Sequence, residues 1–167
     1  MKPISSNPLP PEDEAQILDL EHFLPFRLSV LANRVTRRVA RVYARRFQLS
    51  APEWRTMAVL GRYGAMTANS VVERTAMDKV RVSRAVARLL ARERVTRRTD
   101  PDDRRRAILD LTPEGRAVYA KVVPMVLAVE SELLSPLGAE ERALLDQVLR
   151  KLEQHTAVDF AGSEDEI

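Results

Sequence analysis

Cysteine is absent from the 167 residues, which excludes disulfides, thiolate metal sites and thiol-based redox sensing. Glycine occurs only five times, and no glycine-rich phosphate loop can be drawn. Aromatic residues make up 5%, and a composition weighted toward Ala, Leu, Arg and Val favours helix over sheet. No apolar run approaches the length of a membrane span, and the opening M-K-P-I-S-S-N-P-L-P lacks the apolar core of a signal peptide. A cytoplasmic protein with no membrane partner is therefore expected. His22 and His155 are isolated from any carboxylate cluster, so no metal site and no cofactor are expected. No nucleophile–base pair is spaced for catalysis, so no catalytic residue is assigned and no enzyme is expected. Acids are missing altogether between His22 and Pro52, a stretch that holds seven arginines.

The formal charge of +3 is the remainder of a strong segregation. Residues 1–21 sum to −4, 22–73 to +7, 74–106 to +7 and 107–167 to −7. A cationic middle between anionic ends points to a polyanionic partner for the middle, with nucleic acid the leading candidate.

Hydrophobic spacing divides the chain. Residues 1–18, rich in Pro, Ser and acids, read as a disordered leader, and 158–167 as a flexible tail. Leu24, Leu28, Leu31, Val35, Val39 and Val42 recur at steps of three and four, one stripe of a long helix. Ser50 or Ala51 caps a second helix that buries Trp54, Met57 and Leu60 and stops near Gly64. Thr67 caps a short helix, and Asp78 caps a longer one with Val82, Val86, Leu89 and Leu90 inward. Segments 95–99 and 107–111 alternate as two short strands joined by D-P-D-D-R-R-R. Thr112-Pro113-Glu114 opens another helix, which contains Pro124 and ends at Pro136 and Gly138, and a last helix starts near Ala139. The expected fold is mainly α with a small β-hairpin wing: a winged helix-turn-helix over 49–111, flanked by helical dimerisation segments at 19–48 and 112–157.

The segment D-K-V-R-V-S-R-A-V-A-R-L-L leaves Lys79, Val80, Arg81, Ser83, Arg84 and Arg88 off the inward stripe. Such a helix suits a major groove, where Arg81 and Arg84 meet base edges in its first two turns. Lys79, Ser83 and Arg88 suit phosphates, which fix register without reading sequence. The hairpin tip bears Arg104, Arg105 and Arg106, which can lie on the backbone or enter a narrow minor groove. Asp102 or Asp103, accepting hydrogen bonds from one arginine, would steady the tip.

The stretches M-D-K-V-R-V-S-R-A-V-A-R-L and T-D-P-D-D-R-R-R-A-I-L-D-L-T-P-E-G resemble the multiple-antibiotic-resistance regulator (MarR) family of bacterial transcription factors. The resemblance runs from about Pro52 to Gly115, and the flanking helices extend it more weakly. It implies a homodimer with one winged helix per subunit, binding an inverted repeat in double-stranded DNA. It also implies repression relieved by a small aromatic or anionic ligand, and a wing in which Asp103 braces Arg105 while Arg104 or a neighbour reaches the minor groove. One departure stands out: A-R-E-R-V replaces a turn where the family often has Gly, so Arg94 must adopt that turn or the helix must extend.

Arg34, Arg38, Arg41 and Arg45 form a single stripe. With Arg37, part of it could bind the anion of an effector such as an aromatic acid or its coenzyme A thioester. Pairing of the same arginines with the acidic 107–167 segment explains them equally well. Phe26, Asn33, Arg37, Arg38, Tyr43, Trp54 and Met57 are the effector-site candidates. A winged-helix protein-interaction or architectural DNA-binding module without a ligand remains the alternative.

Overall fold

The computed structural model describes residues 17–161 apart from 101, 102, 104 and 105. The leader expected at 1–18 therefore falls outside the described residues except for Ile17 and Leu18. The chain forms two compact units, 1–37 and 38–167, and the first helix, α1 (Leu24–Phe47), runs through the boundary.

In the first unit, Asp19 organises the turn into α1. Its backbone carbonyl accepts from Phe23 N at 2.9 Å, and its carboxylate accepts from Glu21 N at 3.1 Å. The opening half of α1 leaves Leu24, Phe26, Leu28 and Leu31 exposed. Leu20, Leu24, Phe26, Leu28 and Leu31 line a shallow groove of about 620 Å³ in this unit.

In the second unit the rest of α1 leads into α2 (Ala51–Tyr63). Ser50 is its cap: the hydroxyl accepts from Glu53 N, and the Glu53 carboxylate accepts from Ser50 N at 2.7 Å. That reciprocal pair satisfies two donors that helix geometry leaves orphaned. A two-residue strand, β1 (Met66–Thr67), precedes α3 (Ala68–Thr75), and α4 spans Lys79–Ala91. Thr67 and Asp78 cap these helices by accepting from Ser70 N and Arg81 N. The wing is β2 (Val95–Thr99) and β3 (Ala107–Leu111), antiparallel with Val95 opposite Leu111 and Thr99 opposite Ala107. β1 adds to the other edge of β3, giving the order β1-β3-β2. This third strand is not expected from the sequence, because two residues are too few to show a period of two.

α5 (Pro113–Leu134) starts at the Thr112 cap and continues through Pro124, and α6 covers Ala139–Ala161. The last helix thus runs into the segment expected to be a tail; residues 162–167 lie outside the described part. Tyr43, Leu49, Met57, Leu60, Val71, Val82, Leu89, Leu109 and Val122 are the most deeply buried of a single apolar core drawn from α1 to α5. By contrast Leu144, Leu145, Val148 and Leu149 of α6 stay exposed. No single described helix is long and apolar enough to cross a membrane.

Candidate nucleic-acid interface

α4 is built as a two-faced helix. Val82, Ala85, Val86 and Leu89 enter the core, while Lys79, Val80, Arg81, Ser83, Arg84 and Arg88 are exposed. Val80, 58% exposed, is an apolar residue among cations, a placement suited to a thymine methyl. Asp78 does more than cap: one carboxylate oxygen takes Arg81 N at 2.7 Å and the other lies 3.1 Å from Arg81 Nε. Arg81 is thereby held beside the helix start, whereas no pairing is seen for Arg84 or Arg88 among the described ion pairs.

Grooves flank α4 on both sides. One, about 350 Å³, lies between α3, α4 and the wing, with Asn69, Lys79, Ser83 and Arg97 supplying its polar wall. The other, about 170 Å³, has Ser50 and Pro52 on one wall and Arg81, Arg84 and Arg88 on the other. Both place cationic side chains where phosphate oxygens can reach them. Arg97 carries no spacing signal in the sequence, because it is a basic residue in a strand exposed on both faces.

At the wing tip Asp103 turns the chain. Its carbonyl accepts from Arg106 N at 2.8 Å, its carboxylate lies 3.3 Å from Arg106 Nε, and Asp100 N donates to Arg106 O at 2.9 Å. Among the described residues, Arg106 is an arginine paired with Asp103. Arg104, Arg105 and Asp102 lie outside the described residues.

The departure at A-R-E-R-V resolves differently from expectation. Glu93, not Arg94, takes the left-handed conformation, at φ 53°. Glu93 N donates to Leu90 O at 3.0 Å and Arg94 N to Leu89 O at 2.9 Å, the paired bonds of a Schellman ending. The carbonyls of these two residues then accept from Thr112: its hydroxyl bonds Glu93 O at 2.6 Å and its N–H bonds Arg94 O at 3.1 Å. Both ends of the hairpin are thus pinned together at its base. Arg94 Nη1 is buried with no hydrogen-bond partner among the described residues. Burial and then the charge of Arg92 lower its pKa, while Glu53 and Glu114 oppose the shift.

The effector candidates divide. Phe26, Asn33 and Arg37 are exposed on α1 in the first unit. In the second unit, Arg38 pairs with Glu132 at 2.8 Å, so this arginine meets the acidic half of the chain. Tyr43, Trp54 and Met57 are core residues, and the Trp54 ring lies 5.6 Å from Tyr43 and 5.9 Å from Tyr119. Burial raises the Tyr43 pKa to about 12, with Arg55 opposing.

The MarR family model matches residues 47–106, the segment from α2 through β2 to the wing tip. The transcriptional regulator HosA of Escherichia coli O111:H- is 30% identical over 62% of this chain and 77% of its own length. The transcriptional repressor NicR of Pseudomonas putida is 31% identical, over 63% of this chain and 66% of its own. Among solved structures, Bordetella bronchiseptica BpsR, reported for the regulation of its DNA binding by 6-hydroxynicotinic acid, is 28% identical. It superposes with a TM-score of 0.64 over 76% of this chain and 98% of that one. The exposed cationic α4, the pinned wing and these relatives agree: the chain belongs to the MarR family of winged-helix, DNA-binding transcriptional regulators.

Proposed function

We propose that the protein is a cytoplasmic, homodimeric repressor that binds an inverted repeat and leaves it when a small aromatic acid binds. The observation that carries the DNA half is α4, whose outer face offers Lys79, Arg84 and Arg88 to solvent beside Arg81. Arg81 and Arg84 read base edges from the first two turns, and Lys79, Ser83 and Arg88 hold phosphates. Asp103, paired with Arg106, braces the wing tip together with Arg105, and Arg104 or a neighbour is the arginine assigned to the minor groove. Dimerisation is supported by apolar surface that a single chain leaves wet, on the opening half of α1 and along α6.

The effector half rests on the relatives. NicR is named a repressor, and BpsR has its DNA binding regulated by 6-hydroxynicotinic acid. A hydroxylated aromatic acid, or its coenzyme A thioester, is the class proposed here. In the second unit Arg38 is the proposed contact for its anion, with Tyr43, Trp54 and Met57 as core candidates; Phe26, Asn33 and Arg37 are separate candidates in the first unit.

Footprinting on the DNA upstream of the gene tests both halves. Two protected half-sites about one helical turn apart, with steep salt dependence, are expected. Protection should fall away when 6-hydroxynicotinic acid, hydroxybenzoic acids or their thioesters are added. No selective protection at low salt refutes the regulator. Protection that none of the acids alters favours the ligand-free module. The double variant Arg37→Gln, Arg38→Gln should bind DNA but respond weakly, and an undiminished response removes these arginines from the effector site.

A further inference from the structure

By spacing, Arg92 is the next rung after Arg84 and Arg88 on the outer stripe of α4, and it should face DNA. It does not. As the C-cap of α4 it bonds Arg88 O through its N–H, but its guanidinium turns back across the domain. Nη1 donates to the carbonyl of Gln48 and lies 3.4 Å from Glu53 Oε1. Gln48 occupies the left-handed region, φ 51°, in the link between α1 and α2. Glu53 is 2% exposed, and its two oxygens divide the work. Oε2 takes Ser50 N at 2.7 Å and the Ser50 hydroxyl at 2.5 Å, and Oε1 faces Arg92.

We propose that Arg92 is a positioning residue: through Glu53 and the Gln48 carbonyl it fixes the angle of α4, and selectivity for the operator depends on it. This rests on the reading of the protein as a sequence-selective DNA binder. The argument is a lever arm. α4 has 13 residues, so it is about 20 Å long, and a 10° tilt about its C-terminus moves its first turn by about 3 Å. A base-edge hydrogen bond fails within a fraction of that displacement. A flexible lysine or arginine on a phosphate follows it. Releasing the clamp should therefore spare general affinity for DNA and lose discrimination. A buried carboxylate suits the task because Oε2 is already committed to Ser50, so Oε1 is the oxygen left to hold Arg92, and breaking a buried ion pair carries a desolvation cost.

The test compares the full chain with R92Q, R92K and E53Q. Each is titrated against a duplex from the upstream region and against a scrambled duplex of the same composition, across a salt series. Melting temperatures are taken in parallel. For R92Q and E53Q, the ratio of operator to scrambled affinity should fall by about tenfold or more, the scale of one lost base contact. Affinity for the scrambled duplex and the salt slope should stay as in the parent. R92K, which keeps the charge, should recover part of the ratio. Gln at 53 can still cap α2, so E53Q carries the comparison if R92Q does not fold. An unchanged ratio in both variants overturns the clamp. So does a loss on both duplexes with a salt slope smaller by about one, the mark of a phosphate contact. A parent that shows no preference between duplexes overturns the regulator reading itself, and the clamp with it.

Discussion

Gly115→Ala tests whether the base of the wing is held by backbone approach. Gly115 lies in the first turn of α5 and donates its N–H to the Thr112 hydroxyl at 3.0 Å. A methyl added there would sit 2.9 Å from the carbonyl carbon of Arg94 and nearer still to its oxygen. Non-bonded carbon and oxygen atoms sit more than about 3 Å apart, so the Arg94 backbone and α5 would have to part by more than about 1 Å. Such overpacking costs about 1–3 kcal/mol. The Thr112 bonds to Glu93 and Arg94 would lengthen with it, adding about 1 kcal/mol each if both are lost. Alanine returns at most about 1 kcal/mol of helix propensity. The net is a loss of about 2–4 kcal/mol, which for a chain of this size lowers Tm by on the order of 10 °C. Thermal unfolding can be followed by far-UV dichroism and by Trp54, the only tryptophan, packed between two tyrosine rings. Protein concentration must be fixed, because association shifts the midpoint. Gly138→Ala is the control: its added carbon meets nothing nearer than Glu141 Oε2 at 3.6 Å, and Tm should stay within about 2 °C. A Gly115→Ala variant that melts with the parent would falsify the steric argument.

Glu93→Gly should stabilise the chain by about 1 kcal/mol, since glycine enters the left-handed region at φ 53° without the steric penalty of a Cβ; denaturant titration reads it, and a lower midpoint would count against the Schellman ending. Asp103→Ala removes a negative charge yet should weaken operator binding, because Arg106 loses its 3.3 Å partner at the wing tip; tighter binding by anisotropy means that net charge governs the wing. Arg84→Gln and Arg88→Gln should each weaken DNA binding, and a contact to phosphate lowers the salt slope by about one; equal slopes in parent and variant rule out that contact. Tyr43 has its pKa raised to about 12 in the folded chain, so its contribution is complete below pH 10 and lost as pH climbs toward 12. The loss is on the order of 3 kcal/mol, and Tyr43→Phe should lack that part of the alkaline slope; identical pH profiles for the two proteins refute it.

Much of the fold was legible because its signals are local. The Ser50, Thr67, Asp78 and Thr112 caps each act on a backbone N–H three residues ahead, and the hydrophobic steps of α4 and the alternation of β3 follow one element at a time. The outer face of α4 was legible for the same reason: what does not point inward on a helix points outward. The sequence locates the glycine-less turn after α4 but leaves open whether Arg94 takes it or the helix extends, and the Schellman bonds place it at Glu93. β1 escaped because its two residues become a strand only through pairing with Leu109 and Ile108.

The sequence by itself therefore determined where the helices and the two wing strands begin, which faces are apolar and which helix is cationic, since these depend on neighbours within four residues. It could not say that Arg92 leaves the arginine ladder for Glu53 and Gln48, 39 and 44 residues away. Nor could it say that Tyr43 and Trp54 close on each other in the core, or that Arg38 meets Glu132. Those pairings have no local energy to announce them. They exist only once packing has brought distant elements together, and it is there that a guanidinium is committed to a buried carboxylate or left for DNA.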